Sequence, residues 1–415
     1  MARTFPQLVS ICIDMLALGI AAAVLATLVP GRPDISADAK KYLDSALDII
    51  EKHSIKRDTD WKKMRQGAYA KAADARTAKD TYQAIQYAVA FLDDHHSDFF
   101  PPRDVKEMSQ GVTKDTGFMA LDCYVIRVAP GGPADKAGLK VGMRILQVNN
   151  HTVTDTRSFY REYWDAMDGS DMVLLAIDRK GNQGLFSLTP KSISVDDPPA
   201  SRLLEGKIGY LAVPQFEGNQ RLTLKFANAI QDRIRSLDVP GLKGWIVDLR
   251  LNQGGNMWPM LAGLGPLLDH GDLGSFESGS ESVKWSCKDG KAMAGSETVV
   301  TIKPYRLKHS GLPIAVLTGG MTASSGEAIA ISFVGMPNAT LIGSPTQGLT
   351  TANNFETLSD GAIINLCEAV DADRTGKKYG VPIEPNIRID PKWALYLSEE
   401  DPAIIAAKRW IEGKK

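Results

Sequence analysis

The sequence predicts a multidomain α+β protein, in which an N-terminal helical segment and a small β domain precede an α/β layer domain. Three observations support this prediction. The length of 415 residues suggests two or three domains, since one domain takes roughly 150 residues. Apolar residues recur with helical spacing within residues 36–94. From residue 200 onward, apolar runs of strand length alternate with helical stretches, which is typical of an α/β domain.

The composition excludes several classes of protein. Hydrophobic residues make up 44% of the chain and charged residues 23%, so the chain can bury a core and is not globally disordered. The 48 Lys and Arg residues balance the 49 Asp and Glu residues, so we expect no nucleic-acid partner. No CxxC pair occurs among Cys12, Cys123, Cys287 and Cys367, which argues against a zinc ribbon or a thioredoxin-type site. No metal or organic cofactor is implied.

Residues 1–30 are interpreted as a signal peptide or a membrane anchor. The run 8–30 is apolar except for Asp14 and is preceded by Arg3. Small residues near its end fit a cleavage site, whereas its length fits a membrane span. Asp14 favours the signal, because an acidic residue at the bilayer centre costs roughly 2.5–3.5 kcal/mol. A buried helix is the third alternative. Both preferred interpretations predict an exported chain that is periplasmic, extracellular or anchored outside the cytoplasm, with a membrane tether through residues 8–30 in the last case.

Residues 34–110 form the predicted helical domain. Its apolar stripes consist of Leu43, Leu47 and Ile50, and of Ile85, Ala88, Val89 and Leu92. This spacing predicts two to four short helices, the last of which ends at residues 93–97.

Residues 113–193 form the predicted β domain. Strands are expected at Tyr124–Val128, Met143–Val148 and Met172–Ile177, with a helix near Thr156–Met167. The run 129–149 resembles the centre of a PDZ domain, although Met143 replaces the usual Asp.

The resemblance implies a loop that binds a peptide carboxylate upstream of this run. The residues at the loop position are Thr116, Gly117, Phe118 and Met119. Glycine there would let successive N–H groups face an anion while the peptide adds to the sheet edge. An ordinary turn into a strand is the alternative.

Residues 200–415 form the predicted α/β domain. The expected strands are Ile208–Val213, Gly244–Leu251, Leu312–Thr318 and Ala339–Gly343, and the expected helices are Leu222–Leu237 and Ser324–Val334. The strands are almost continuously apolar, as a sheet covered on both faces requires.

The strand-turn-helix around Ser324 is the strongest local signal. An apolar strand ends in Gly319-Gly320, and a helix begins near Ser324. The free N–H groups of a helix N-terminus stabilise a developing oxyanion, so Ser324 is a candidate nucleophile. The alternative is a plain helix cap, closed by Glu327 three residues later.

A second turn follows the strand at residue 244. Gly254 and Gly255 lie just past that strand, where glycine lets backbone N–H groups approach a ligand. Ligands gather at the carboxyl ends of strands in α/β sheets, so both glycine turns are expected to face one cleft.

These motifs together resemble the carboxyl-terminal processing, or tail-specific, serine proteases, whose catalytic domain has a crotonase-like α/β (ββα) fold. The matching stretches are DLRLNQGGN at 248–256, TASSGE at 322–327 and YLAVPQF at 210–216. The resemblance implies that Ser324 is the nucleophile. It also implies an oxyanion hole made by the N–H of Gly254 or Gly255 together with that of Ser325.

The base that activates the serine differs from the common one in this family. Many members use a lysine about two dozen residues after the nucleophile, but no lysine occurs between Lys308 and Lys377. The chain is instead similar to the branch of the tricorn core protease and the retinoid-binding proteins, where a histidine comes from the helical part. The stretch LDDHHSDFF then implies His96 as the base and Ser97 as its polar neighbour. A helix-capping surface histidine is the alternative.

The carboxylate that would orient the base is left open by the sequence. The candidates are Glu327, Glu368, Asp373 and Glu384. Asn386 replaces the family's usual Asp in this region, which weakens the transfer of an acid from it.

Three functions are compatible with these patterns. The first is an exported serine endopeptidase acting on proteins or peptides through Ser324 and His96. The second is a non-catalytic binder of peptides or apolar ligands on the same fold. The third is an acyl-CoA enzyme of the crotonase type, which the PDZ-like segment and the missing coenzyme signature disfavour.

Overall fold

The computed structural model describes residues 34–109, 111–167, 171–194, 196–218, 220–268 and 271–414. The predicted signal or anchor at residues 1–30 lies outside this range. The α-helices are α1 (Ala37–His53), α2 (Trp61–Lys71), α3 (Tyr82–Ala90), α4 (Pro102–Ser109), α5 (Pro133–Lys136), α6 (Thr156–Met167), α7 (Gln220–Leu237), α8 (Met257–Leu264), α9 (Ser325–Phe333) and α10 (Pro402–Glu412). Short 3-10 turns occur at Ala78–Thr81, Gly265–Leu267 and Trp393–Leu395.

The strands fall into four sheets. They are β1 (Asp98–Phe100), β2 (Val112–Asp115), β3 (Phe118–Leu121), β4 (Tyr124–Val128), β5 (Arg144–Val148), β6 (His151–Thr152), β7 (Met172–Ile177), β8 (Gln183–Leu188), β9 (Lys191–Ser194), β10 (Ala200–Leu204), β11 (Ile208–Ala212), β12 (Gly244–Asp248), β13 (Asp272–Ser278), β14 (Glu281–Lys288), β15 (Lys291–Ala294), β16 (Glu297–Thr301), β17 (Ile314–Thr318), β18 (Ala339–Gly343), β19 (Thr351–Thr357), β20 (Ile363–Asp373) and β21 (Ile387–Arg388).

The chain divides into two compact units. The first comprises the residues up to Gln110 together with Thr351–Ala369, and the second comprises Gly111–Thr350 and Val370–Lys415. Residues 351–369 therefore group with the N-terminal helices, although the sequence patterns attach them to the α/β domain.

The first unit is built on α1, α2 and α3. Ser36 starts α1 by accepting a hydrogen bond from the Ala39 N–H, and the predicted apolar stripes of α1 and α3 are buried. Strand β1 pairs antiparallel with the first half of β20, so that Phe99 lies opposite Ile364. Both side chains join the helical core, and β19 pairs with β20. Strands β19 and β20 carry residues that contact His96.

The N-terminal part of the second unit is a small β domain. Its sheet has the order β3-β4-β5-β7-β8, and β6 extends β5. Phe118 on β3 packs against Phe159 and Tyr163 of α6, which closes the core. Strand β3 is the last strand in this order, and among the described residues its outer edge pairs with no further strand.

The α/β part of the second unit contains a sheet of order β10-β11-β12-β17-β18-β21. All neighbours pair in parallel except β10 with β11. Helices α7, α8 and α9 share a core with one face, and α10 packs on the other. This double cover explains why β12 and β17 are buried throughout, as their apolar sequences predict.

A further group of strands in this unit has no counterpart in the predicted strands. Strands β13, β14, β15 and β16 form an antiparallel meander, and residues 370–373 of β20 pair with β13. Trp285 of β14 is fully buried, and its ring nitrogen donates to the Ser332 hydroxyl on α9. The meander therefore supports the helix that follows the candidate nucleophile.

The mixture of helices and sheets agrees with the predicted multidomain α+β class. The largest difference among the predicted strands is at β12, which ends at Asp248, whereas the apolar run suggested Leu251. The difference has a physical cause, because the Asn252 N–H bonds to the Leu249 carbonyl and turns the chain out of the sheet.

Candidate active site

Ser324 occupies a strained turn between β17 and α9. Its backbone has φ 51° and ψ −123°, a conformation that side-chain-bearing residues rarely adopt. The preceding residues hold the turn, since the Thr322 hydroxyl donates to the Leu249 carbonyl and the Ala323 N–H donates to the Asn252 carbonyl. The Ser324 side chain is partly exposed. This geometry is that of a nucleophile elbow, in which strain presents a hydroxyl at a helix N-terminus.

Glu327 ties the elbow to the loop that follows β18. Its carboxylate accepts hydrogen bonds from the Ser324 N–H at 2.9 Å, from the Gly348 N–H at 2.8 Å and from the Thr346 hydroxyl. Burial raises the pKa of this carboxyl to about 6, although these hydrogen bonds lower it in part. The helix cap given as the alternative is therefore present, and within its unit Glu327 holds the backbone of Ser324.

The two glycines of the second turn have different roles in the hydrogen bonding. The Gly254 N–H donates to the Asn252 side-chain oxygen at 3.0 Å. Among the described residues, neither the Gly255 N–H nor the Ser325 N–H donates to any protein acceptor. The Ser325 hydroxyl donates to the Gly255 carbonyl, which joins the two turns. The geometry thus favours Gly255 over Gly254 as the partner of Ser325 in an oxyanion hole.

Asn252 organises both turns, a role that the sequence did not reveal. Its fully buried side chain donates to the Val213 carbonyl at 3.1 Å and accepts from Gly254, while its carbonyl accepts from Ala323. A Cβ at Gly326 would lie 2.3 Å from that same carbonyl oxygen. The motif NQGG therefore needs its asparagine for positioning and the TASSGE motif needs its glycine for close packing.

Arg250 anchors the base of the turn through a buried ion-pair network. It donates to Asp248 at 2.7 Å and to Asp401 at 2.9 Å, and the Tyr210 hydroxyl also donates to Asp248. Burial would raise the pKa of Asp248, but the adjacent guanidinium outweighs it and holds that pKa below its ordinary value. The motif DLR is therefore a structural support for the glycine turn.

His96 lies in the first unit, in a turn closed by Asp94. The Asp94 carboxylate accepts hydrogen bonds from the His96 N–H at 3.0 Å, the Ser97 N–H at 2.7 Å and the Ser97 hydroxyl at 2.6 Å. The Ser97 hydroxyl in turn accepts from the Cys367 N–H at 3.0 Å. Ser97 thus fixes the backbone next to His96, with its hydroxyl engaged by Asp94 and β20.

The imidazole of His96 contacts a hydroxyl. Its Nδ1 lies 2.6 Å from the Thr351 Oγ1. Burial lowers the pKa of His96 to about 4, against a smaller opposing effect of the Asp94 charge. The ring is consequently neutral at physiological pH and able to accept a proton.

The four candidate carboxylates are engaged elsewhere. Glu368 is the only one in the unit of His96, and it lies 3.4 Å from His53. Asp373 accepts hydrogen bonds from its own turn and from the Tyr379 hydroxyl, and Glu384 is exposed. The residue that meets Nδ1 within this unit is Thr351, which sequence reasoning did not identify.

The predicted carboxylate loop of the β domain is closed by its own side chains. The Gly117 N–H donates to the Asp115 carboxylate at 2.6 Å, and the Thr116 hydroxyl lies 2.8 Å from the Tyr163 hydroxyl. Burial raises the pKa of Asp115. An acidic side chain therefore occupies one of the N–H groups that a peptide carboxylate would use.

The adjoining strand β3 lies at the end of its sheet. Phe118 is buried and Met119 pairs with Arg127 of β4, while the outer edge of β3 has no partner strand among the described residues. A peptide that extended the sheet would pair with this outer edge.

Two further findings concern the rest of the chain. Within the described residues, Cys123, Cys287 and Cys367 are buried and form no disulfide. In the same part of the chain, no helix has the length and apolar character needed to span a membrane.

Comparison with known proteins supports the relationship that the motifs predict. Residues 207–389 match the family described as Peptidase family S41, and residues 103–189 match the PDZ domain. A nisin-resistance protein of Lactococcus lactis is 36% identical over 45% of this chain and 57% of its own length. The chloroplastic carboxyl-terminal-processing peptidase 2 of Arabidopsis thaliana is 30% identical over 69% of this chain and 56% of its own. The chain thus spans little more than half the length of these relatives.

The fold is shared with solved structures. The photosystem II D1 C-terminal processing protease superposes with a TM-score of 0.55 and 21% identity, covering 86% of this chain and 94% of that protein. These comparisons confirm the predicted resemblance to carboxyl-terminal processing peptidases and the multidomain α+β class. They identify residues 207–389 as a peptidase family S41 segment.

Proposed function

We propose that this chain, which carries a peptidase family S41 segment, is a serine endopeptidase in which Ser324 is the nucleophile. The strained turn at Ser324, next to the free N–H groups of Gly255 and Ser325, is the observation that carries the proposal. A backbone held in that conformation has a cost of about 1–3 kcal/mol and persists where the surrounding structure enforces it, which is typical of functional sites.

His96 is the proposed base. In the reaction, it takes the proton of the Ser324 hydroxyl while the oxygen attacks a peptide carbonyl. The two N–H groups stabilise the resulting oxyanion, the protonated imidazole gives its proton to the leaving amine, and water then hydrolyses the acyl-enzyme. The low pKa of His96 supports this role, because the ring is unprotonated at neutral pH.

The proposed substrates are proteins or peptides. The Arabidopsis relative is named for carboxyl-terminal processing, and we extend that substrate preference to this chain. The loop Thr116–Met119 is the proposed contact for a substrate carboxyl end, and a peptide would reach it by displacing Asp115. Export, through a cleaved signal or with a membrane tether at residues 8–30, is proposed from the apolar N-terminal sequence.

A hydrolysis assay tests the proposal. Fluorescein-labelled casein is incubated with the wild-type chain, with Ser324→Ala and with Ser310→Ala, whose serine is exposed and lies outside both turns. We expect cleavage by the wild type and by Ser310→Ala, and none by Ser324→Ala. Equal cleavage by Ser324→Ala would remove Ser324 from the mechanism and favour a non-catalytic binder.

A further inference from the structure

The environment of His96 contains a closed ring of hydrogen bonds. The Asn353 side-chain N–H donates to the His96 carbonyl at 2.7 Å, and Asn365 reaches the same carbonyl at 3.3 Å. The Thr351 hydroxyl lies 3.4 Å from the Asn353 side-chain oxygen and 2.6 Å from His96 Nδ1. All these residues belong to the first unit, on β19, β20 and the turn before β1.

The ring has a defined direction. Because the Asn353 amide nitrogen donates to a carbonyl, its oxygen must face Thr351 and can only accept. The single hydrogen of the Thr351 hydroxyl is then directed to Asn353, and a lone pair of Oγ1 remains for the histidine. Were Thr351 to donate to Nδ1 instead, its oxygen and the Asn353 oxygen would face each other with no hydrogen between them.

We propose that Thr351 and Asn353 are positioning residues that hold the proton of His96 on Nδ1 and leave the lone pair of Nε2 free to act as the base. This inference rests on the proposed function, since a base is needed only if the chain hydrolyses peptides. The tautomer follows from the hydrogen-bonding capacity of the three side chains, and the partner atom of a histidine ring commonly fixes which nitrogen carries the proton.

A neutral orienting group has a chemical consequence. A carboxylate at Nδ1 would stabilise the imidazolium that forms during the reaction, whereas a hydroxyl orients the ring without adding an opposite charge. Burial accounts for the low pKa of His96, and the uncharged Thr351 hydroxyl brings no opposite charge that would raise it. Thr351 therefore acts on the geometry of the base and contributes little to its strength.

The neighbouring thiol fits the same arrangement. Cys367 Sγ lies 3.3 Å from Thr351 Oγ1, and burial raises the pKa of this thiol to about 12, so it is uncharged. An uncharged sulfur is a weak acceptor and a weak donor, and it competes poorly with the Asn353 oxygen for the Thr351 hydrogen.

Two measurements test the inference. The first is ¹⁵N NMR of the full-length chain at neutral pH, with the His96 signals assigned by comparison with His96→Asn. We expect His96 to carry its proton on Nδ1 in the wild type, and this tautomer preference to be lost in Thr351→Val. A proton on Nε2 in the wild type overturns the inference, whether or not any peptide is cleaved.

The second measurement compares kcat and KM for fluorescein-labelled casein. Thr351→Val keeps the shape of the side chain but removes the hydroxyl, Thr351→Ser restores the hydroxyl, and Thr357→Val changes an exposed threonine at the end of the same strand. We expect Thr351→Val to lose about 10- to 100-fold in kcat with a nearly unchanged KM. A correctly positioned base contributes at least this much to the rate, and the variant would lose part of that contribution. Thr351→Ser and Thr357→Val should stay near the wild type.

The outcomes separate the two proposals. If the wild type cleaves casein through Ser324 but Thr351→Val and Thr357→Val have equal kcat values, the role of Thr351 is overturned and the proposed function stands. Absence of Ser324-dependent cleavage in the wild type contradicts the proposed function, and the NMR measurement then still decides the tautomer.

Discussion

Gly254 and Ser324 are in such close contact that a Cβ at position 254 would lie 2.8 Å from the Cβ of Ser324. Gly254 also has φ +110°, which residues with a side chain rarely adopt. The glycine turn at Gly254 and the turn at Ser324 are therefore in direct contact. The geometry of the candidate site depends on both the NQGG and the TASSGE motif.

Replacing Gly254 with Ala should damage activity more than stability. The new methyl group would push the elbow away from the glycine turn, and loss of oxyanion alignment lowers kcat by about 100- to 1,000-fold in comparable sites. Casein hydrolysis and thermal unfolding measure the two effects.

A matched control for this variant is Gly361→Ala. Gly361 has φ +87° and nothing within 4 Å of an added Cβ. It should show the backbone strain alone, about 1–2 kcal/mol of stability, with kcat unchanged. A comparable loss of kcat in both variants would contradict the close packing of Gly254 and Ser324.

Arg250 should be among the residues most important for stability. Changing it to Met would leave Asp248 and Asp401 buried without their counter-charge, and breaking a buried pair costs about 3–5 kcal/mol. Denaturant unfolding should show this loss, whereas Arg306→Met, which removes an exposed arginine beside Asp289, should change stability by less than about 1 kcal/mol. A small effect at Arg250 would mean that the network contributes little to the glycine turn.

The pH dependence of kcat/KM should show the unusual environment of His96. Protonation would remove the proposed base, so activity should fall as the pH decreases through about 4, far below the ordinary histidine value of 6.5. Between these two values the unfolded chain binds a proton at His96 that the folded chain does not, so this residue also lowers stability as the pH falls.

His95→Asn is the control for the pH profile, because His95 is an exposed neighbour with φ +59° and asparagine tolerates that conformation. The acid limb should be the same in this variant. If kcat/KM of the wild type instead falls near pH 6.5, His96 is either exposed to solvent in solution or is not the base.

The β domain should bind free peptide carboxyl ends weakly until the Asp115 side chain is removed. In a Ser324→Ala background, Asp115→Ala frees the Gly117 N–H. The freed donor is expected to add about 0.5–1.5 kcal/mol to peptide binding.

Fluorescence anisotropy of a dye-labelled decapeptide measures this effect, with the same peptide amidated at its carboxyl end as the control. Only the free carboxylate should gain from Asp115→Ala. If the Ser324→Ala chain already binds the peptide as tightly as the chain that also carries Asp115→Ala, the loop is not closed in solution.

Much of the fold could be predicted from sequence because apolar periodicity reports burial locally. Strands β12 and β17 and helix α9 are recognisable from their own residues, and so is the turn at Ser324. The contact between His96 and Thr351 could not be found this way, because 255 residues separate them and a threonine on a half-exposed strand has no distinctive pattern. The meander of β13 to β16 was missed for a related reason, since strands such as β14 and β16 are mostly exposed and lack a continuous apolar run.

Covalent labelling of the folded chain tests the central claim most directly. A fluorophosphonate probe, which reacts with activated serines, is added to the wild type, to Ser324→Ala and to His96→Asn, and the labelled peptide is mapped by mass spectrometry. We expect a single labelled site at Ser324 in the wild type, no label in Ser324→Ala and greatly slowed labelling in His96→Asn. Labelling of a different serine, or labelling at Ser324 that is unaffected by His96→Asn, would contradict the proposed roles of Ser324 and His96.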